Sequence, residues 1–556
     1  MDGIDEEAEL GPRSLSRPIS PPRKRQKTDD QRAARPDPLL KHEGSSTKSG
    51  SVSETASELD VASGSNDAHQ QPYQKTPAAA TFSSPFRLTR IRDLGEEDNV
   101  DALSLNDLIG DPLIAECWDF NYLHDIQFLL DALDQDVRDL VKVHVVHGFW
   151  KKDDPNRVLL QDDAEKHKNV VLHTAFLPEI FGTHHSKMLV LLRHDDTAQV
   201  VIHTANMIPK DWTNMTNGIW LSPRLPLLQG QDPAATSEYE SLAEGTGHKF
   251  KVDLLNYLKA YDSKRAVCRD LVRNLERYDF SSIRGTLIAS VPGRHDFGDL
   301  STSAWGWAAI KRALRSVPLQ VGKSEVVAQI SSIATLGPTD TWLQRTLFES
   351  MCRGKTAGVI PRPQFKIMFP TADEIRRSLD GYGSGGSIHT KIQSAQQAKQ
   401  LIYQRPLLCH WANDSPHGQD LGQNVSILDA GRNRAAPHIK TYIRYGANSI
   451  DWALLSSANL SKQAWGDATG PGGQTRISSW EIGVLVWPEL FAKDALMTTV
   501  VKRDTPSIET TNLGLGRPVV GLRSPYSMPV QRYGHGEVPW VATLSYSEPD
   551  WAGNIW

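Results

Sequence analysis

The stretch Phe181-Gly182-Thr183-His184-His185-Ser186-Lys187-Met188-Leu189-Val190 sets an imidazole and an ammonium group one residue apart, ahead of an apolar run that continues to Leu192. An apolar run of that length bounded by turn residues reads as a buried strand. Side chains at i and i+2 of a strand share a face, so His185 and Lys187 are expected to point the same way. Buried strands rarely hold Lys without a partner. The pair therefore has work to do.

Two further His-x-Lys triplets occur. His389-Thr390-Lys391 sits in a Gly/Ser-rich loop, whereas His438-Ile439-Lys440 opens the β-rich run Thr441-Tyr442-Ile443. Context separates them. Twenty-one residues after His185 comes Asn206, and twenty-one after His438 comes Asn459; each follows an apolar strand and a small pair, Thr204-Ala205 and Ser457-Ala458. Six residues further on lie Trp212 and Trp465, most simply core residues of a duplicated unit. The position twenty-one after His389 is His410, so that triplet is not a third copy.

If the two units face one another, two imidazoles, two ammonium groups and two amides converge on one centre. Such a set suits the dianion-like transition state of phosphoryl transfer. One imidazole would attack phosphorus and the other would protonate the leaving oxygen. The lysines would hold the imidazoles neutral near pH 7 by like-charge repulsion. Neither motif carries a carboxylate cluster suited to a divalent ion, so the lysines would take the charge-stabilising role of metal; no metal and no cofactor are expected.

The rest of the 556-residue chain frames this unit. No Phe, Trp or Tyr precedes Tyr73, and Ser, Pro, Gly, Asp and Lys dominate there, so residues 1–85 are expected to be a disordered tail. Within it, Arg23-Lys24-Arg25-Gln26-Lys27 suits nuclear import. Cys117, Cys268, Cys352 and Cys409 form no CxxC pair, which fits a reducing compartment. No stretch approaches eighteen uninterrupted apolar residues and no signal core opens the chain, so a soluble, nuclear monomer without membrane contact is expected. The segment from about Ser394 to Arg434 follows no clear pattern and reads as an inserted loop.

At the paired motifs the chain resembles the phospholipase D superfamily, whose two His-Lys motifs make one site across two similar domains. The superfamily's Asp five residues after each Lys is replaced here by Leu192 and Tyr445. That departure, with Ala458-Asn459-Leu460-Ser461-Lys462 and Glu481 in "SSWEIGVLVWP", resembles the tyrosyl-DNA phosphodiesterase branch. The likeness also takes in "FNYLHD" at Phe120, "GIWLSP" at Gly218, "ISSIATLG" at Ile330 and "GNIW" at the terminus.

The resemblance implies an α/β fold of two similar α/β/α sandwich domains related by a pseudo-twofold axis, here 86–288 and 289–556. It implies hydrolysis of the bond joining the 3' end of single-stranded or nicked DNA to a peptide of trapped topoisomerase I. His185 would be the nucleophile, forming a phosphohistidine. His438 would be the acid and then the base, and Lys187, Lys440, Asn206 and Asn459 would hold phosphate oxygens. Glu481 would orient an imidazole, and Asn217 stands where this branch carries Gln, one methylene longer. Gln329, Ser331, Ser332, Ser461 and Lys462 are the implied DNA contacts; Phe181 either stacks on a base or is a core ring. A lipid-cleaving relative or an inactive nuclear adaptor are the alternatives. The missing Asp pair and basic tail weigh against the first, the two complete motif sets against the second.

Overall fold

Met188–Arg193 is a strand with every residue buried, as its unbroken apolar run requires. It is the fifth of seven strands that define the first half: β1 Arg87–Leu88, β2 Ile114–Phe120, β3 Lys142–His147, β4 Val170–Thr174, β5 Met188–Arg193, β6 Thr197–His203 and β7 Gly218–Leu221. They lie side by side in the order β1-β7-β6-β5-β2-β3-β4, with Leu225–Pro226 paired to β6 off this path. Only β2/β3 and β3/β4 are parallel.

The second half repeats the pattern: β8 Thr286–Ser290, β9 Glu325–Gln329, β10 Gln364–Met368, β11 Leu408–Cys409, β12 Thr441–Tyr445, β13 Ile450–Ser456 and β14 Glu481–Val486. Their order is β8-β14-β13-β12-β9-β10-β11, and again only the pairs β9/β10 and β10/β11 are parallel. Each of the strands β1–β7 thus has a counterpart seven places along. The duplicated motif is the visible part of a duplicated mixed α/β sheet.

The coordinates come from a computed structural model that describes residues 80–230, 238–356, 358–422, 425–507 and 516–556. The basic run and nearly all of the expected tail lie outside the described residues. Pairing begins ahead of the Phe86 boundary, because Thr81–Phe82 runs parallel to Val519–Val520. The segment 394–434 is not a plain inserted loop. Ser394 and Gln397 close a capping box on the helix Ala395–Gln404, and Leu408–Cys409 is the edge strand β11. A two-residue strand carries no periodicity to read.

Side-chain alternation sorts the apolar residues into three cores. Leu189, Leu191 and Val201 face one side of the first sheet, and Val326, Tyr442 and Leu454 face one side of the second. Val190, Ile202 and Trp220 join Ile443, Leu455 and Val484 in a core shared by both halves. The halves approach closely there. A Cβ on Gly218 would stand 2.6 Å from Leu455 Cδ1 and 2.7 Å from Ile439 Cδ1, so any larger residue would have to displace side chains of the other half.

Candidate active site

Both His-x-Lys triplets lie just ahead of their strands, since β5 begins at Met188 and β12 at Thr441. The sequence alone placed them on the strands themselves. The backbone leaves its own sheet here to bond the other half. His185 N donates to Trp480 O at 3.0 Å, and Trp480 N donates to Thr183 O at 2.9 Å. In the second copy, His438 N and Ile439 N both donate to Thr216 O, at 3.0 and 2.8 Å. The lysines return the chain to its own sheet: Lys187 O accepts from His203 N, and Lys440 O from Ser456 N.

The side chains cross in the same way. His185 Nδ1 lies 2.9 Å from Glu481 Oε2, which also accepts from Ser457 Oγ at 2.5 Å. His438 Nδ1 lies 3.2 Å from Asn217 Oδ1, which accepts from Thr204 Oγ1 at 2.8 Å. Each half therefore holds the other half's imidazole with a residue braced by a hydroxyl of its own. In both rings Nδ1 meets acceptors, which places hydrogen on Nδ1 and leaves Nε2 to do chemistry. Asn217, though one methylene shorter than Gln, reaches the ring.

The Asn side chains are set by the tryptophans. Trp212 Nε1 donates to Asn206 O at 3.0 Å, and Trp465 Nε1 donates to Asn459 O at 3.1 Å. The two rings are buried, as core residues should be, and also fix the loop that carries each amide. Asn459 Oδ1 accepts from Ser331 N, Ser332 N and Ser331 Oγ at 3.0, 2.9 and 3.3 Å, which turns its amide nitrogen away from them. Asn206 Nδ2 donates to Asp211 at 3.0 Å, and its buried Oδ1 meets no hydrogen-bond partner.

Lys187 and Lys440 are fully buried, and among the described residues each ammonium group bonds only the carbonyl of its own motif histidine, His185 O and His438 O. Burial pushes Lys187 down to about 8 against the pull of Glu481 and Asp211. Burial and then Lys187 hold Lys440 well below the ordinary lysine value. His185 is lowered by burial, with Glu481 opposing and Lys187 and Lys440 assisting. His438 is held well below its ordinary value by burial, then by Lys440, Lys187, His185 and His389. Those mutual influences bring both rings and both lysines into one electrostatic neighbourhood. Among the described residues neither lysine makes an ion pair, although Glu481 and Asp211 act on both, and two buried ammonium groups so placed suit an anion.

Asp211 was not singled out from the sequence. Its Oδ2 accepts from Asn206 N at 2.7 Å and lies 3.1 Å from His438 Nδ1, so one carboxylate oxygen ties the first Asn to the second His. Burial raises its pKa, and Lys440, Lys210 and Lys187 oppose that. The repeat conceals it, because the matching offset after Asn459 is Ala464. His389, rejected as a repeat copy, also stands near the site. Its backbone bridges Ser331 and Ile333.

The remaining candidates divide. Ser331 and Ser332 are at the site, through Asn459. Ser461 caps the turn Lys462–Trp465 by accepting from Ala464 N at 3.0 Å, and Lys462 Nζ lies 3.9 Å from where a Cβ on Gly337 would stand. Phe181 is 57% exposed, so its ring is not in the core. Gln329 is fully buried in β9 with neither amide atom hydrogen-bonded, and the structure does not bring it to an accessible edge. Its register partner across the sheet is Thr441, whose hydroxyl is on the same closed face. Among the described residues no group of three or more His, Cys, Asp or Glu could hold a metal ion.

A family model described as tyrosyl-DNA phosphodiesterase matches residues 85–534. A probable tyrosyl-DNA phosphodiesterase of Schizosaccharomyces pombe is 31% identical over 543 residues, which covers 85% of this chain and 96% of the relative. Tyrosyl-DNA phosphodiesterase 1 of Arabidopsis thaliana is 29% identical over 511 residues, covering 86% and 78%. The crystal structure of the yeast tyrosyl-DNA phosphodiesterase is similar in fold, with a TM-score of 0.57 at 18% identity over 82% of this chain and 98% of that one. The crossed pair of His-Lys-Asn sets sits inside the matched region, and the chain belongs to the tyrosyl-DNA phosphodiesterase family.

Proposed function

We propose that this DNA-repair phosphodiesterase hydrolyses the bond between a DNA 3'-phosphate and the tyrosine of a trapped topoisomerase I peptide. The observation that carries the reading is the crossed anchoring of His185 and His438 beside two buried lysines that make no ion pair among the described residues. The phosphodiester anion enters between Lys187 and Lys440, with the amides of Asn206 and Asn459 toward its oxygens. Negative charge there offsets the lysine repulsion and raises His438, which then carries a proton on Nε2.

His185 Nε2, freed by the Nδ1 bond to Glu481, attacks phosphorus in line with the tyrosine oxygen. The P–O bond breaks as His438 gives its proton to the phenolate. The adduct is a phosphohistidine, and tyrosyl peptide departs. Water then loses a proton to His438, attacks phosphorus and breaks the P–N bond. His185 is regenerated and DNA ends in a 3'-phosphate. The lysines supply in place what a divalent ion supplies elsewhere, charge at the developing oxyanion.

Phe181, exposed on the approach to His185, is assigned to base stacking; Ser331, Ser332, Ser461 and Lys462 are assigned to the strand backbone, which they position without reading sequence. The protein acts as a nuclear monomer in this reading. The test is incubation with EDTA on a 3'-phosphotyrosyl oligonucleotide and, separately, on phosphatidylcholine. Cleavage of the first alone supports the reading; cleavage of the lipid alone, or of neither, overturns it.

A further inference from the structure

His389-Thr390-Lys391 duplicates the His-x-Lys spacing without the following Asn, and the chemistry above leaves it unused. Its backbone is the third ply beside the catalytic machinery. Leu460 pairs with Ile333, whose neighbour Ser332 pairs with His389. His389 N donates to Ser331 O at 2.9 Å, and Ile333 N donates to His389 O at 2.8 Å. Two strand spacings, roughly 10 Å, therefore separate the Asn459–Leu460 backbone from His389.

The loop also lies close to the first half. Lys210, one residue before Asp211 in the first half, brings Nζ within 3.2 Å of where a Cβ on Gly386 would stand. The Gly381–Ser387 turns of the second half thus lie beside Lys210 of the first. His389 is half-buried, and its ring makes no hydrogen bond among the described residues. Lys391 is exposed and makes no ion pair among them. Along an extended segment the two side chains share a face. Burial, with Lys210, Lys391 and Lys440, pushes His389 down to about 4, so at neutral pH the ring is an uncharged donor beside a charged one.

We infer that His389 and Lys391 form a second anion subsite, which takes the phosphate next to the scissile one on the DNA strand. An imidazole donor and an ammonium group unpaired among the described residues, two strand spacings from the catalytic amide, suit a singly charged diester. Only the DNA side of the scissile bond carries another phosphate, since the tyrosyl side is peptide. This deepens the proposed function and rests on it.

The test compares kcat/KM on a 3'-phosphotyrosyl oligonucleotide with kcat/KM on thymidine 3'-phosphotyrosine, which has no second phosphate. Lys391→Ala, at an exposed position, and His389→Gln should each lower the oligonucleotide-to-mononucleoside ratio about fivefold to tenfold, mainly through KM. Lys391→Ala should also reduce the salt slope of oligonucleotide binding by about one. An unchanged ratio in both variants, or equal loss on both substrates, overturns the subsite. If the unmodified protein cleaves neither ester, the functional reading falls and the subsite with it.

Discussion

His185 and His438 occupy matching places in matching halves, yet their Nδ1 partners differ. The first ring faces one carboxylate, Glu481, steadied by Ser457. The second faces an amide, Asn217, steadied by Thr204, and shares its proton with a second acceptor, Asp211, recruited from the Asn206 loop. A carboxylate alone raises the basicity of a ring and makes it a better nucleophile. An amide fixes tautomer without adding charge, and a carboxylate shared with Asn206 adds only part of one. The duplicated fold supplies two identical frames. The asymmetry within them suits the division proposed above, an attacking ring and a proton-shuttling ring.

The sharpest break is His185→Ala. Turnover on a 3'-phosphotyrosyl oligonucleotide should fall by about 10⁴ or more, with no protein–DNA adduct on a denaturing gel. A variant near the unmodified rate would remove His185 from the nucleophile role. His438→Ala should lose about 10²–10⁴ in turnover but accumulate an adduct, because a phenol with pKa near 10 leaves with little acid help while water loses its base. Absence of that adduct in a quenched time course would exchange or erase the two roles.

Asp211→Asn tests the extra acceptor. With the carboxylate gone, Lys440 and Lys187 lower His438 further, and single-turnover kinetics should show a loss of about 10–100-fold concentrated in adduct hydrolysis. Loss concentrated instead in the first step would place Asp211 with His185. Lys187 offers a pH test. Its pKa is pushed down to about 8, so the cation that the anion requires disappears as pH rises through that value. The kcat/KM profile should fall on the alkaline side by about pH 8, and because Lys440 is held low as well, Lys187→Arg together with Lys440→Arg should move that limb upward, since a guanidinium stays charged. The smallest effect is expected for Asn217→Gln, which restores the longer amide: since Asn217 already reaches His438, kcat should stay within about threefold.

Where information was legible in the chain it was local and repeated. Fixed offsets from His185 to Asn206 to Trp212, found again from His438, exposed the duplication and with it most of the site. Asp211 was hidden because its counterpart is Ala464, so the comparison that revealed everything else argued against looking there. His389 was hidden for the opposite reason: it had the right spacing but the wrong continuation, and it reaches the site only through a neighbouring ply. Strand alternation turns Gln329 into a closed face, a matter of register that two adjacent serines do not disclose. β11 is too short to show any period.

The exchange of backbone and side-chain bonds across the two halves makes catalytic competence a property of their union. A half that drifts away releases the far imidazole to turn over or change tautomer, and its buried lysine meets water. Partial opening of the molecule therefore switches the chemistry off before much secondary structure is lost.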